Sequence, residues 1–289
     1  MHCAFIEPDL ERYKNLEQKI GSFDKPAMIV THAYPETFTR GLESLKKDIP
    51  QFFSSQHPLF VFIDPFGATG VPFSVVAELL KSPCSEVLIN LDADGIARIF
   101  QAGESAAHEK NLNEIFAGDE WKPLFDASDP FEVLCRKVLQ LYKTKLRAIE
   151  RVRYVFPFEM RTTASVLNYY LVFASQHPLG LEKMKEAMRK IDQSGSYCFS
   201  DASVGQSSLF RFDNPEQHSL NLYDGFRGKK ARYPELRDFA LNETPFTNPK
   251  SMLRDLECNK DLVAEVKSTD PKRRKGTFNE EKLVYVKFK

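Results

Sequence analysis

The sequence predicts an α/β protein: a mainly parallel sheet covered by helices, followed by a small C-terminal module of helices and a hairpin. Three observations predict it. Through residue 193 short apolar runs alternate with amphipathic helical stretches, and the runs are apolar on both faces, as strands of a parallel sheet buried between helices must be. Two strand-like runs, RYVFPFEMR and NYYLVFASQ, then follow one another across the short polar connection TTASVL, which reads as a late antiparallel pair. Finally, residues 233–289 read as helix, turn, helix, strand, basic loop and closing strand.

Taken in order, CAFIEPD is a strand ending on Glu7, and LERYKNLEQKIGS is the helix after it. PAMIVTHAY is a second strand, with PETFTRGLESLKKDIPQFF as its helix. PLFVFID is a third strand, FSVVAELLKSP a helix and SEVLINLD a fourth strand. Residues 95–149 are helical, with EIFAGDEWKPLF as a loop that anchors Trp121, and DPFEVLCRKVLQLYKTKLRAI has apolar residues at three- and four-residue spacing. After the antiparallel pair, GLEKMKEAMRKIDQ is a helix. A parallel sheet finished by such a hairpin is characteristic of Rossmann-like, class I methyltransferase-type folds, although fold alone does not give function. Residues 194–232 are polar, contain glycines and are weakly periodic, so they read as a linker between an α/β domain (1–193) and a final module (233–289). Two helices followed by a β-hairpin is the winged-helix order.

Composition narrows the function classes. Of the 289 residues, 42% are hydrophobic and 28% charged, which is ordinary for a globular protein with a large core. The formal net charge is +0, so any nucleic-acid surface is local. No apolar run approaches the roughly 18 residues of a membrane span, and the start MHCAFIEPDLERYK has no signal-peptide pattern. Five scattered cysteines without a CxxC pair point to reduced thiols in a cytoplasm and to no metal site.

In open α/β sheets, ligands bind beyond the carboxyl ends of the strands. Glu7 stands at one such end, where a carboxylate can accept hydrogen bonds from both hydroxyls of a ribose; it can equally belong to a helix-capping Glu-Pro-Asp turn. Asp64 ends the third strand in LFVFIDPFG. Pro65 fixes the turn, Phe66 can stack on a planar substrate, Gly67 lets backbone approach a ligand, and Asp64 can accept a hydrogen bond from an amine; the alternative is an ordinary Asp-Pro turn. In the C-terminal module Lys272, Arg273, Arg274 and Lys275 crowd the loop between the last two strands, with Lys250, Arg254 and Lys260 before it. That cluster is either a phosphate-contacting or partner-contacting surface, or a solvated hairpin tip.

The segments FIEPDLERYKNLEQ, FVFIDPFGATGVPF, EVLINLDADGIAR, YYLVFASQHPLGLEKMKEAM and ETPF…LRDLE…RRKGTF, in this order, resemble the three-Cys-motif partner protein family, TcmP, over nearly the whole chain. The resemblance implies a methyltransferase-like fold using S-adenosylmethionine and a three-Cys-motif partner of radical-enzyme type encoded nearby. It also implies Glu7 on the cofactor ribose, Asp64, Pro65, Phe66 and Gly67 at the catalytic strand end, and Tyr34 nearest the adenine position. The chain departs from the family in lacking the strand and Gly-rich turn that precede the FIE strand. In the usual strand order that strand lies between those ending at Glu7 and Asp64, so the expectation is an N-terminally incomplete sheet with two strand edges facing an apolar gap. The two resulting expectations are a methyltransferase acting on an unidentified acceptor and a non-catalytic subunit that docks protein or DNA.

Overall fold

The computed structural model describes residues 1–65, 71–103, 105–162, 167–192, 196–200 and 214–289. It is a mixed α/β structure whose strands fall into three sheets.

The first is a parallel pair, β1 (His2–Ile6) beside β2 (Val30–Tyr34), joined by α1 (Leu10–Ser22). Asp9 starts α1 by accepting from the amides of Glu11 and Arg12 at 3.0 and 2.9 Å, as an N-cap acid should. Helix α2 (Phe38–Asp48) runs back along this pair. Its Gly41 sits so close to Ile6 that a Cβ there would come within 2.6 Å of the Ile6 side chain, so glycine is required for the contact.

The second sheet has the order β3-β4-β6-β5-β7, with β3 (Leu59–Ile63), β4 (Ser85–Leu91), β5 (Tyr154–Arg161), β6 (Leu167–Ser175) and β7 (Cys198–Ser200). β3 and β4 are parallel, and β6 runs antiparallel between β4 and β5. The expected late antiparallel pair is therefore present, and its second strand is wedged into the sheet rather than added at its edge. β4 and β6 are central and almost continuously buried: Val87 and Val172 are both 0% exposed. One face carries α3 (Phe73–Lys81), α4 (Ala93–Gln101), α5 (Ala106–Phe116) and α6 (Phe131–Arg147), whose apolar sides make the main core. Trp121 is buried in that core and donates its indole N–H to Asn113 at 2.9 Å, which makes it the anchor of its loop. The other face carries α7 (Pro178–Ile191), packed over Leu88, Phe158 and Phe173.

The C-terminal module begins earlier than the sequence pattern indicates. Within the expected linker 194–232 lie β7, α8 (Pro215–Phe226) and β8 (Lys230–Ala231). Leu222 of α8 and Ala231 of β8 join a separate core with α9 (Tyr233–Glu243), α10 (Lys250–Cys258), β9 (Val263–Ser268) and β10 (Leu283–Phe288). β8, β10 and β9 form the third, antiparallel sheet. α8 escapes the periodicity because few of its residues are buried, among them Ser219 and Leu222. α9 then lies against β5: Asn242 accepts from the amide of Val155 at 2.9 Å, and Tyr154 donates to Asp238 at 2.7 Å. No helix among the described residues is long and apolar enough to cross a membrane.

Candidate functional site

Between β1 and β3 the molecule is open. β1 pairs with β2 and β3 with β4, and neither of the two pairs with the other. Every residue of both strands lines one cavity of about 1900 Å³. At the carboxyl ends of the strands its rim carries Glu7 and Asp9 on one side and Asp64 and Pro65 on the other.

Each rim group is placed by its local chain. Pro8 holds Glu7 in extended backbone, and Glu7 Oε1 accepts the Asp9 amide at 3.0 Å. The helix cap of α1 is Asp9, so Glu7 buttresses that turn with one oxygen, while its second oxygen accepts no hydrogen bond among the described residues. Asp64, exposed, accepts from Asn90 Nδ2 at 2.6 Å. Asn90 lies on β4, and its own Oδ1 is buried with no hydrogen-bond partner among the described residues. The acid after β4, Asp92, is used within its own helix, accepting from the Gly95 amide at 2.8 Å. Phe66 and Gly67 lie outside the described residues.

Tyr34 stands apart. Its hydroxyl donates to Asp48 at 3.1 Å at the far end of α2, and its side chain is not in the cavity wall. Burial and then the Asp48 hydrogen bond push its pKa above the ordinary tyrosine value. The site therefore brings together Glu7 and Asp64 but not Tyr34. Asn90 was missed by sequence reasoning; its polar amide inside the apolar run SEVLINL was the available signal. What the rim offers chemically is two carboxylates, acceptors for hydroxyl or amine donors, at the mouth of a mostly apolar slot. Among the described residues no group of three His, Cys, Asp or Glu is arranged to hold a metal ion.

The basic cluster of the C-terminal module divides into two kinds of residue. Arg273 is an internal latch: its guanidinium pairs with Glu257 at 2.6 Å, donates to the Thr277 carbonyl at 2.9 Å and lies 4.8 Å from the Phe278 ring centre. Lys260 is likewise bound to the buried Asp255 at 2.6 Å. Lys272, Arg274 and Lys275 are exposed. A second cleft of about 570 Å³ separates α7 from α10 and includes Arg189, Lys250 and Arg254.

No protein-family model matches this chain, and neither the curated proteins nor the solved structures compared with it include a match.

Proposed function

We propose that this chain is a Rossmann-like, methyltransferase-type protein that binds a nucleoside cofactor, S-adenosylmethionine by its resemblance to TcmP, at the rim formed by Glu7 and Asp64, and that it acts with a three-Cys-motif partner. The observation that carries the reading is the pair of sheet orders, β2-β1 and β3-β4-β6-β5-β7, with β6 antiparallel to both of its neighbours. The parallel pairs and the antiparallel β6 support a methyltransferase-type sheet, and Glu7 and Asp64 stand at the carboxyl ends of β1 and β3, where open α/β sheets bind ligands.

The residues fit the cofactor in part. Glu7 has an oxygen available for a ribose hydroxyl, and Asp64 has one for an amine donor. Tyr34 is turned to Asp48, so it does not serve the adenine in this arrangement. When bound, S-adenosylmethionine supplies an electrophilic methyl group on a sulfonium; the chain's part is to hold the sugar and align the acceptor. In the C-terminal module the order of α8, β8, α9, α10, β9 and β10 supports a winged-helix reading, with Lys272, Arg274 and Lys275 as the residues available to a phosphate backbone or an acidic partner. The open slot between β1 and β3 favours the second reading, a docking subunit that has lost cofactor binding.

Calorimetric titration of S-adenosylmethionine into the 289-residue chain, beside Asp64→Ala and Glu7→Gln, separates the two. Saturable binding weakened by both substitutions supports the cofactor reading. No binding to a folded chain overturns it in favour of docking.

A further inference from the structure

The three-stranded sheet of the C-terminal module has one packed face and one that faces solvent. Ala231 of β8, Val286 and Phe288 of β10 and Val263 of β9 are buried in a core with α8, α9 and α10. Side chains alternate along a strand, so Lys230, Tyr285 and Lys287 point the other way. On β9 the register slips at Ala264, since Phe288 pairs with Val263 and Lys287 with Glu265, and this turns Glu265 and Lys267 outward as well. Lys230 stands opposite Lys287, and Lys267 opposite Tyr285, so the outer face holds a tyrosine among three lysines.

The lysines are exposed and Tyr285 is half-buried. The tyrosine hydroxyl donates to Glu265 at 2.7 Å, which lays the ring across the sheet toward β9. From the other side the Lys230 ammonium reaches over β10 to 4.5 Å from the ring centre, and that of Lys267 lies at 5.9 Å. At an exposed site this attraction is weak, so a phosphate can draw both lysines off the ring. Among the described residues none of the three lysines forms an ion pair, whereas Lys260, Lys282 and Lys289 of the same module are held by Asp255, Asp270 and Asp261. The carboxylate on this face, Glu265, is occupied by the tyrosine.

Beyond Ser268 and Leu283, at the end of the hairpin, exposed Lys272, Arg274 and Lys275 continue the positive charge. Charge alone suits any polyanion, and Tyr285 narrows the choice. An unpaired base offers a π-face that can lie on the ring while its phosphates take the lysines, and such stacking tolerates every base. A duplex keeps its base faces covered, and an acidic peptide has no ring at each charge; both would use the lysines and leave Tyr285 idle. The chain's own remaining acids do not fit the face. Outside the described residues the carboxylates are Glu104, Asp201 and Asp213. Glu104 stands between α4 and α5 of the α/β body, Asp201 directly follows β7, and Asp213 directly precedes the Asn214 cap of α8. β7 pairs with β5, against which α9 lies, and α8 belongs to the inner core, so both elements are on the helical side of this sheet.

We propose that the outer face of the β8-β10-β9 sheet binds single-stranded nucleic acid, with one base stacked on Tyr285 and phosphates held by Lys230, Lys267 and Lys287 and, past the hairpin end, by Lys272, Arg274 and Lys275. The last three residues rest on the reading of the module given above; the sheet face stands on its own geometry and does not depend on the cofactor reading.

The test uses the full chain with fluorescein-labelled oligothymidylate and oligouridylate of about 15 nucleotides, the upper range of a small domain's site. A hairpin duplex of equal charge and polyglutamate serve as competitors, and anisotropy is read over a salt series. At least one single strand should bind saturably and more tightly than the duplex. Tyr285→Leu should weaken that binding about 5- to 100-fold, the loss of one stacked base, while Tyr285→Phe should keep most of it. Lys230→Ala, Lys267→Ala and Lys287→Ala together should weaken it and flatten the slope of log K against log salt by about 2, at ~0.7 per phosphate contact. These side chains lie outside the core, so the thermal midpoints should stay close to that of the wild type. S-adenosylmethionine titrated into Tyr285→Leu should behave as it does with the wild type, which keeps failure of the cofactor reading separate from failure of this one. The proposal is overturned if neither single strand binds the folded chain at low salt, if the duplex binds as tightly, or if polyglutamate competes equally, which would mark an acidic protein as the partner. It is equally overturned if Tyr285→Leu leaves binding unchanged, or if alanine at Lys272, Arg274 and Lys275 abolishes binding while the three sheet lysines contribute nothing.

Discussion

Replacing Lys185 with methionine tests how the C-terminal module is fastened to the α/β body. Lys185 is on α7, is 0% exposed, and donates to the carbonyls of Leu241 and Thr244 at 2.6 Å each and of Phe246 at 3.3 Å, with the Phe156 ring 4.0 Å from its nitrogen. The Leu241 carbonyl would ordinarily accept from the residue four further on, but that residue is Pro245, which has no N–H. The lysine supplies the donor the proline cannot. Losing it orphans two buried carbonyls at roughly 1–3 kcal/mol each, while methionine relieves part of the cost of burying an amine. The expected net loss is about 2–4 kcal/mol, read by urea unfolding. Burial draws the Lys185 pKa well below the usual lysine value, against the smaller opposing influence of Glu243. The unfolded chain, with an ordinary lysine near 10.5, then binds more protons than the folded one between the folded pKa and 10.5. Stability from this site should therefore rise with pH in that window, and the gap between wild type and Lys185→Met should be wider at pH 9.5 than at pH 7. A Lys185→Met protein within about 0.5 kcal/mol of wild type at both pH values would refute the fastening, since that is the range of an ordinary surface substitution.

Three further outcomes are expected. Asp255→Ala should cost about 2–3 kcal/mol, because Asp255 accepts from Ser219, Lys260 and Asn259 at 2.5, 2.6 and 2.9 Å. Burial pushes its pKa up, but those hydrogen bonds outweigh burial and hold it below 3.8; its contribution is complete above 3.8 and fades as pH falls through the lowered value, which acid unfolding of the pair of proteins would show. Arg273→Ala should lower stability by about 1–3 kcal/mol, because the largely buried Glu257 carboxylate loses its cation, whereas Arg274→Ala should change it by less than about 0.5 kcal/mol; equal thermal shifts would contradict the latch. If the module binds nucleic acid, the triple substitution of Lys272, Arg274 and Lys275 by alanine should weaken binding and flatten its salt dependence, measured by anisotropy across a salt series.

The alternation of apolar runs and amphipathic stretches was enough to find β1 to β6 and the helices between them, since the runs are apolar in sequence both where the strand is buried, as in β4, and where it has no buried residue, as in β1 and β2. The open space between the strands ending at Glu7 and Asp64 was an expectation of the resemblance to TcmP and not of any local pattern; among the described residues β1 and β3 do not pair with each other. α8 was not legible, although Asn214 caps it by accepting from the Glu216 amide at 3.0 Å and Pro215 occupies its first turn. Asn-Pro-Glu is a helix-start signal, and the low apolar content behind it hid the helix. The basic cluster looked uniform in sequence, yet Arg273 turns inward to Glu257, sixteen residues away along the chain. Such pairings are set by tertiary packing, and no local pattern reports them. Similarly, Glu7 follows β1 and Tyr34 ends β2, but the Asp48 carboxylate at the end of α2 takes the tyrosine away from the cavity.

Helix α9 is shared property. Leu236 and Ala240 belong to the core of the C-terminal module, while Leu241 belongs to the core beneath α7. Arg237 ties the same helix to Glu182 of α7 at 2.6 Å and to Glu280 at 3.2 Å. A genetic cassette cut anywhere in residues 194–232 would hand α9 to one product and strip the wall from the other. For a builder of chimeras, no cut between β5 and α9 leaves both products whole, since α9 is bonded to Tyr154 and Val155 of β5 and its Leu241 shares a core with Leu88 and Phe173.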